Sequence, residues 1–148
     1  MRASEMMTGG PKACRPDDPV QRALDHMDAC ECGAVPVVDD DRTVVGIVTD
    51  RDIVFGVRQN DGRMEGLRVS ACMTAHPVTV RQDDAAEEVV RRMRESRVRR
   101  VPVVDEDGTL VGIVAQADLA VHLEDDALLA GYLREVSSAP GVEPAPER

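Results

Sequence analysis

The apolar and polar positions of the chain follow a pattern that occurs twice. Apolar residues recur at spacings of three and four, at positions 20, 23, 24 and 27 and again at positions 86, 89, 90 and 93. This spacing is typical of a helix with one buried face. Two β-branched runs and a further helical stretch follow each time, and a short apolar run precedes each helix. The pattern predicts an α/β fold with two β-α-β-β-α units.

The bounds of these predicted elements come from turn and cap residues. First strands are expected near 12–14 and 78–80, β runs at 35–38 and 44–48 with their counterparts, and last helices from near Asp50 and Gln116. Asp18 stands three residues before Gln21, and Asp84 stands three residues before Glu87. We therefore expect a capping box at the start of each first helix.

The second unit is a copy of the first. Shifted by 66 residues, positions 6 to 57 align without a gap, and 19 of these 52 positions are identical. The period is too long, and two copies are too few, for a common solenoid, so we expect a pseudo-symmetric pair. The predicted domains are 7–66 and 73–130. A short helix is expected at 125–136, and the Pro/Gly/Glu-rich tail 137–148 is predicted to be disordered.

Composition excludes several classes of function. The net charge of −10 argues against nucleic acid or an anionic membrane as a partner, and one Tyr, one Phe and no Trp leave no platform for stacking bases. No signal peptide and no run long enough to span a bilayer is visible, so a cytoplasmic location is predicted. The three histidines lie in different elements and show no catalytic pairing, so we expect no enzyme activity.

The four cysteines leave two interpretations open. None forms a Cys-x-x-Cys pair, and all four can be small buried apolar residues. Alternatively, Cys14 lies close to Cys30 or Cys32, because it ends the first strand and they end the following helix. That arrangement would give a redox-responsive disulfide or a metal site.

The repeated motifs resemble the tandem CBS domain family, named after cystathionine β-synthase. They are Met-Thr-x-x-Pro, Val-Pro-Val-Val-Asp and Gly-Ile-Val-Thr-Asp-Arg-Asp, the last of which ends at Asp52. The layout is similar to small stand-alone members of the hypoxic response protein type. The resemblance implies two clefts between the repeats that bind an adenosine-containing ligand. It also implies a regulatory signal-transduction or stress-response role, no obligatory cofactor, and frequent homodimers.

The resemblance also implies binding residues. Thr49 and Asp52 match the pair that holds ribose in the family, and a carboxylate can accept hydrogen bonds from both ribose hydroxyls. The alternative is that Thr-x-x-Asp only caps a helix. In the second copy Ala115 replaces the threonine while Asp118 remains, so unequal sites are expected. The remaining positions assigned to the nucleotide are Lys12, Pro36, Arg51, Thr79, Arg99 and Arg100.

Two further features allow more than one interpretation. Gly46 and Gly112 lie inside predicted strands, where glycine marks close approach of a ligand or of packed protein atoms. Six arginines crowd positions 91–100, whereas positions 25–34 carry three acidic residues and no Lys or Arg. Arg99 and Arg100 directly precede a strand and suit phosphate, whereas Arg91, Arg92 and Arg94 suit a solvated helix face.

Three functions remain open from the sequence. The first is a regulatory module that binds AMP, ADP, ATP or a related adenosyl compound and acts on an unknown target protein. The second is a ligand-free scaffold that dimerises, and the third is a cysteine-based redox or metal sensor. For a homodimer, the charges of 25–34 and 91–100 favour a head-to-tail arrangement. A contact through Leu128, Leu129, Tyr132 and Leu133 is the alternative.

Overall fold

The computed structural model describes residues 1–138. The helices are α1 Ala3–Met6, α2 Val20–Cys30, α3 Asp50–Gln59, α4 Val69–Cys72, α5 Ala86–Ser96, α6 Gln116–His122 and α7 Asp126–Ser137. The strands are β1 Thr8–Gly9, β2 Ala34–Val38, β3 Val44–Thr49, β4 Thr74–Ala75, β5 Val80–Arg81, β6 Arg100–Val104 and β7 Leu110–Ala115. The expected α/β class with two similar repeats is confirmed. Positions 139–148, most of the tail predicted to be disordered, lie outside the described residues.

The strands form two sheets. One has the order β1-β7-β6-β5 and the other the order β2-β3-β4. The β2–β3 hairpin is antiparallel, with Ala34 opposite Thr49 and Pro36 opposite Ile47. The two expected hairpins are therefore present, and each ends at the start of a helix, α3 or α6.

The chain divides into two compact units that do not follow the sequence repeats strictly. The first-repeat unit comprises Gly10–Pro77 and Val104–Val111, and the second-repeat unit comprises Met1–Gly9, Val78–Val103 and the described residues 112–138. In the second-repeat unit, β1 pairs with β7. In the first-repeat unit, β4 pairs with β3. Each Met-Thr motif therefore adds a short strand to the hairpin of the other sequence repeat.

Both units are filled mainly by aliphatic side chains. In the first-repeat unit the buried cluster is Cys14, Val20, Ala23, Met27, Val35, Val37, Val48, Ile53, Leu67 and Val69. In the second-repeat unit all four stripe positions of α5 are buried. The helical periodicity read from the sequence is thus confirmed. Among residues 1–138, no helix combines the length and the apolar character that a bilayer span requires.

The predicted capping boxes at Asp18 and Asp84 are wrong. Helices α2 and α5 begin one residue later than expected, and their N-caps Pro19 and Ala85 provide no side-chain acceptor. Asp18 instead accepts a hydrogen bond from the N–H of Arg15 at 2.8 Å, and Asp84 likewise bonds the N–H of Arg81 at 2.8 Å. Each carboxylate therefore closes the turn before the helix.

Distant backbone carbonyls satisfy the first N–H groups of these two helices. Val20 N–H donates to the Leu67 carbonyl at 3.1 Å, and Ala86 N–H donates to the Met1 carbonyl at 2.9 Å. The orphan donors of a helix N-terminus need partners, and here long-range contacts supply them. A local cap is therefore not required at these positions.

The first predicted strands are shorter than expected. Around Cys14 there is only an isolated parallel bridge to Val37, and the counterpart β5 has two residues, Val80 and Arg81. Cys14 N–H donates to the Pro36 carbonyl at 3.0 Å, and Val38 N–H donates to the Cys14 carbonyl at 2.8 Å. These bonds still hold the segment along β2.

Candidate functional site

The first candidate site lies at the end of β3 in the first-repeat unit. Thr49 is the N-cap of α3, and its hydroxyl accepts the N–H of Asp52 at 3.1 Å. Asp52 Oδ2 in turn accepts the N–H of Thr49 at 2.9 Å. Thr49 and Asp52 therefore form a complete capping box, as the alternative interpretation of the motif expected.

This capping box leaves part of each side chain for other partners. It uses one of the two carboxylate oxygens of Asp52 and the acceptor side of the Thr49 hydroxyl. The second carboxylate oxygen and the hydroxyl hydrogen are not used by it. Both side chains are half-buried. Capping and ligand binding are thus compatible at this position.

The other residues of this unit that were predicted to bind the nucleotide are Lys12, Pro36 and Arg51. Pro36 is buried in β2 opposite Ile47, whereas Lys12 and Arg51 are exposed. The Arg51 guanidinium lies 5.5 Å from the centre of the Phe55 ring, a cation–π geometry. Arg51 is thereby placed on the outer face of α3.

Asp50 was not assigned to the site from the sequence. Its N–H donates to the Gly33 carbonyl at 3.1 Å, and its carboxylate accepts the N–H of Arg51 at 2.8 Å. A Cβ on Gly33 would lie 3.2 Å from the Asp50 carboxylate. The carboxylates of Asp50 and Asp52 are both stabilised by the positive end of the α3 dipole. Together they make this end of the helix acidic.

The corresponding position of the second-repeat unit lacks half of the capping box. Asp118 accepts the N–H of Ala115 at 2.7 Å, but the methyl group of Ala115 offers no acceptor to the Asp118 N–H. Arg99 is exposed, and its carbonyl accepts the Gln116 N–H at 2.8 Å. Arg100 is half-buried at the first residue of β6. This end therefore carries two arginines where the first repeat has Gly33 and Ala34.

Neighbouring residues fix the surroundings of these arginines. The Tyr132 hydroxyl donates to the Val98 carbonyl at 2.9 Å. Burial raises the pKa of Tyr132 to about 12, while Arg99 and Arg100 act in the opposite direction. Thr79 is half-buried, and its carbonyl accepts a bond from Arg92 at 3.2 Å. Tyr132 thus holds α7 against the segment just before Arg99 and Arg100.

The remaining arginines of α5 are engaged with glutamates. Arg91 bonds Glu88 and Glu95 along the helix, and Arg92 bonds Glu88 as well. Hydrogen bonds from Arg91 and Arg92 hold the pKa of Glu88 below its ordinary value. On α7, Glu135 lies 3.8 Å from Arg94 and 3.9 Å from Arg97.

These pairs reduce the unopposed charge on which the head-to-tail dimer hypothesis depends. Of the alternative contact residues, Tyr132 is fully buried within its own unit, so it is not exposed to a partner. Both dimer arrangements stay predictions.

The two strand glycines have a packing explanation. A Cβ on Gly46 would lie 2.6 Å from the Met73 sulfur and 3.1 Å from the Thr74 carbonyl oxygen. A Cβ on Gly112 would clash with the Met7 side chain in the same way. The methionine of each Met-Thr motif therefore occupies the space above a strand glycine, which the sequence alone could not decide.

The alternative in which Cys14 pairs with Cys30 or Cys32 is wrong, and the interpretation of all four cysteines as buried fails at Cys30, which is exposed. Cys30 and Cys32 form a disulfide with each other, and Cys14 is a buried free thiol. Burial raises the pKa of Cys14 to about 11, with a further contribution from Asp18. Within residues 1–138 no group of three or more His, Cys, Asp or Glu side chains could hold a metal ion.

Comparison with known proteins identifies the family. The model of the CBS domain matches residues 3–58 and 69–125. Uncharacterized protein YlbB of Bacillus subtilis is 33% identical over 138 residues, which are 92% of this chain and 91% of YlbB.

Two solved structures share the fold at recognisable identity. Hypoxic response protein 1 of Mycobacterium tuberculosis is 32% identical over 132 residues, covering 86% of this chain and 88% of that protein. A crystal structure of Hypoxic Response Protein I with two coordinated zinc ions has a TM-score of 0.75 at 31% identity, and the match covers 83% of this chain and 99% of the other. CBSX2 of Arabidopsis thaliana in complex with AMP has a TM-score of 0.70 at 26% identity, covering 83% and 98%. The chain therefore belongs to the CBS domain family and contains a tandem pair of CBS domains.

Proposed function

We propose that the chain is a non-catalytic regulatory module that binds an adenosine-containing nucleotide. The observation that carries the proposal is the Thr49–Asp52 pair at the end of β3. It is fixed by two mutual hydrogen bonds and still has one carboxylate oxygen and one hydroxyl hydrogen for a ligand. A preformed pair binds with little loss of side-chain entropy.

The chemistry of this pair suits ribose better than phosphate. A carboxylate accepts hydrogen bonds from vicinal hydroxyls. The adjacent Asp50 adds negative charge, which opposes phosphate. In the second-repeat unit, Arg99 and Arg100 supply guanidinium groups that suit phosphate oxygens. We therefore assign the sugar preference to the first repeat, the phosphate preference to the second, and unequal affinity to the two.

Comparison with a liganded relative supports the nucleotide class. CBSX2, 26% identical to this chain, has been crystallised in complex with AMP. AMP is therefore the first compound to test, followed by ADP, ATP, NAD and S-adenosylmethionine. Binding would act on another protein by favouring one conformation of the CBS pair.

Titration calorimetry with AMP on the wild type and on Asp52→Asn tests the proposal. The amide oxygen of asparagine can still accept the Thr49 N–H, so the helix cap is retained while the charge is lost. Loss of a charged hydrogen bond costs about 1.5–3 kcal/mol, which is about a 10- to 150-fold loss of affinity. Asp118→Asn is the matched control in the second repeat. It should change the AMP affinity of the tighter, first-repeat site little.

Two results would oppose the proposal. If the folded Asp52→Asn protein binds AMP as tightly as the wild type, the residue assignment is wrong. If the wild type binds none of the adenosine compounds, the nucleotide-binding function itself fails.

A dimerising scaffold without a ligand is the second candidate, and exposed apolar residues favour it. Val54 and Phe55 on α3 are 66% and 45% exposed, and Val121 on α6 is 77% exposed. A shift of 66 residues places Phe55 on Val121. Light scattering on Phe55→Glu and Val121→Glu tests this candidate. A wild-type monomer at micromolar concentration would exclude it.

A further inference from the structure

The disulfide between Cys30 and Cys32 lies in the turn that joins α2 to β2. Cys30 is the last residue of α2, and Glu31 adopts the left-handed conformation with φ of 53° and ψ of 42°. The Cys32 N–H then donates to the Met27 carbonyl at 3.1 Å. This helix end reverses the chain and brings two sulfurs, two residues apart in sequence, into bonding contact.

The second repeat contains the same turn without sulfur. Arg97 follows α5 with φ of 53° and ψ of 45°, and the Val98 N–H donates to the Met93 carbonyl at 3.0 Å. Ser96 and Val98 stand where the first repeat has Cys30 and Cys32. Because the backbone geometry is the same in both, the turn does not require a covalent bond. The disulfide also closes a very short loop, so it restricts the unfolded chain little.

The bridge also contains the most exposed cysteine in residues 1–138, Cys30. Cys30 is exposed and Cys32 is half-buried, whereas Cys14 is fully buried. Burial raises the pKa of Cys14 and of Cys72, so both stay as unreactive thiols near neutral pH. Cys72 is half-buried, as Cys32 is, so Cys30 is the cysteine that reagents in solution reach first.

The reduced form also has hydrogen-bond partners available. The Cys30 sulfur lies 3.7 Å from the Met27 carbonyl oxygen, and the Cys32 sulfur lies 3.6 Å from the Ala34 carbonyl oxygen. Each thiol can donate to its carbonyl once the bridge opens. The turn thus accommodates both redox states without a change of backbone.

We propose that Cys30 and Cys32 form a reversible dithiol–disulfide site that exchanges with low-molecular-weight thiols of the glutathione type. A thiolate attacks the Cys30 sulfur, the S–S bond breaks, and its electron pair leaves on Cys32, which takes a proton from water. A second small thiolate then attacks the small-thiol sulfur of the mixed disulfide. The Cys30 thiolate leaves and takes a proton from water. Two small thiols are oxidised to one disulfide while the protein gains two electrons and two protons.

The residues that follow the bridge are bonded to the end of β3 and the start of α3. Directly after the bridge, the Gly33 carbonyl accepts the N–H of Asp50 at 3.1 Å, and Ala34 is paired with Thr49. The bridge is therefore followed directly by a segment that is bonded to the first residue of α3. The exchange itself does not depend on nucleotide binding.

The test is equilibration of the full-length protein in glutathione buffers of graded reduced-to-oxidised ratio. Free thiols are trapped by acid and alkylation and assigned by mass spectrometry of tryptic peptides. Cleavage after Arg22 and Arg42 places Cys30 and Cys32 in one peptide, separate from Cys14 and Cys72. We expect this peptide alone to convert between disulfide and dithiol, with the same midpoint in both directions.

The matched variant Cys30→Ser/Cys32→Val transplants the residues of the second repeat. We expect it to melt within a few degrees of the reduced wild type, and to show no thiol change across the buffers. Cys72→Ala should leave the transition unchanged. The proposal is overturned if the peptide is dithiol at every ratio, if it stays bridged at every ratio, or if the disulfide includes Cys14 or Cys72. All three outcomes are measured on the wild-type protein, so they remain decisive even if a variant fails to fold.

Discussion

Exchanging the N-cap residues of α3 and α6 should shift stability by similar amounts in opposite directions. Thr49 has φ of −111° and ψ of 163°, and Ala115 has φ of −109° and ψ of 163°. The Thr49 hydroxyl accepts the N–H of the third helical residue at 3.1 Å, a bond that Ala115 cannot make. Because the backbones match, Ala115→Thr can complete the second capping box without strain.

The magnitude follows from the energy of an N-cap. Replacing threonine by alanine at such a position costs about 0.5–2 kcal/mol, typically about 1 kcal/mol. For a chain of this size, about 1 kcal/mol corresponds to about 2–4 °C in Tm. We expect Ala115→Thr to raise Tm by this amount, Thr49→Ala to lower it, and the double variant to return near the wild type.

Thermal unfolding followed by circular dichroism, without ligand, measures all four proteins. The comparison is clean because the two positions belong to different helices and share no hydrogen bond. Suppose that Thr49→Ala is destabilising but Ala115→Thr is neutral or destabilising. The backbone at the start of α6 would then differ from that at the start of α3. The equivalence of the two strand ends would then be refuted.

Three further predictions concern packing and buried groups. Gly46→Ala should lower the free energy of unfolding by about 1–3 kcal/mol, because the added Cβ clashes with Met73. An unchanged midpoint of urea unfolding would contradict this. Tyr132→Phe should lower the free energy of unfolding by about 1 kcal/mol, because it removes the hydrogen bond to the Val98 carbonyl. An unchanged Tm would show that this bond contributes nothing to stability. Cys14, buried and with its pKa raised to about 11, should resist iodoacetamide at pH 8 in the native protein and react in urea. Rapid native labelling would place it at the surface.

The predictable parts of the fold are those that depend on local patterns. The α5 stripe at 86, 89, 90 and 93 is fully buried, because helical periodicity is decided within a few turns. The last helices begin at Asp50 and Gln116 as expected, since a strand followed by a cap is also a local signal.

A long-range contact and an unusual local backbone conformation explain the parts that were wrong. A capping box at Asp18 looked complete in sequence, but the first N–H of α2 is satisfied by Leu67, 47 positions further along the chain. The pairing of Cys14 failed because the left-handed residue Glu31 turns Cys32 back towards Cys30. A positive φ at a glutamate has no reliable sequence signal.

The site is intermediate between these cases. The Thr49–Asp52 pair was found because both residues belong to one short motif, and its capping geometry follows from the same spacing. Asp50 was missed because its role depends on Gly33 across the β2–β3 hairpin. The packing of Met73 over Gly46 was likewise invisible, since 27 positions separate them.

The most direct test of the central claim is to titrate AMP into ¹⁵N-labelled protein and follow the backbone amide resonances. If the first-repeat site binds ribose through Thr49 and Asp52, the amides of residues 49–52 shift first. The amides of 115–118 then follow only at higher AMP concentration, because Ala115 lacks the hydroxyl. If no amide of 49–52 moves at millimolar AMP, or if only 115–118 respond, the nucleotide site is not where we place it.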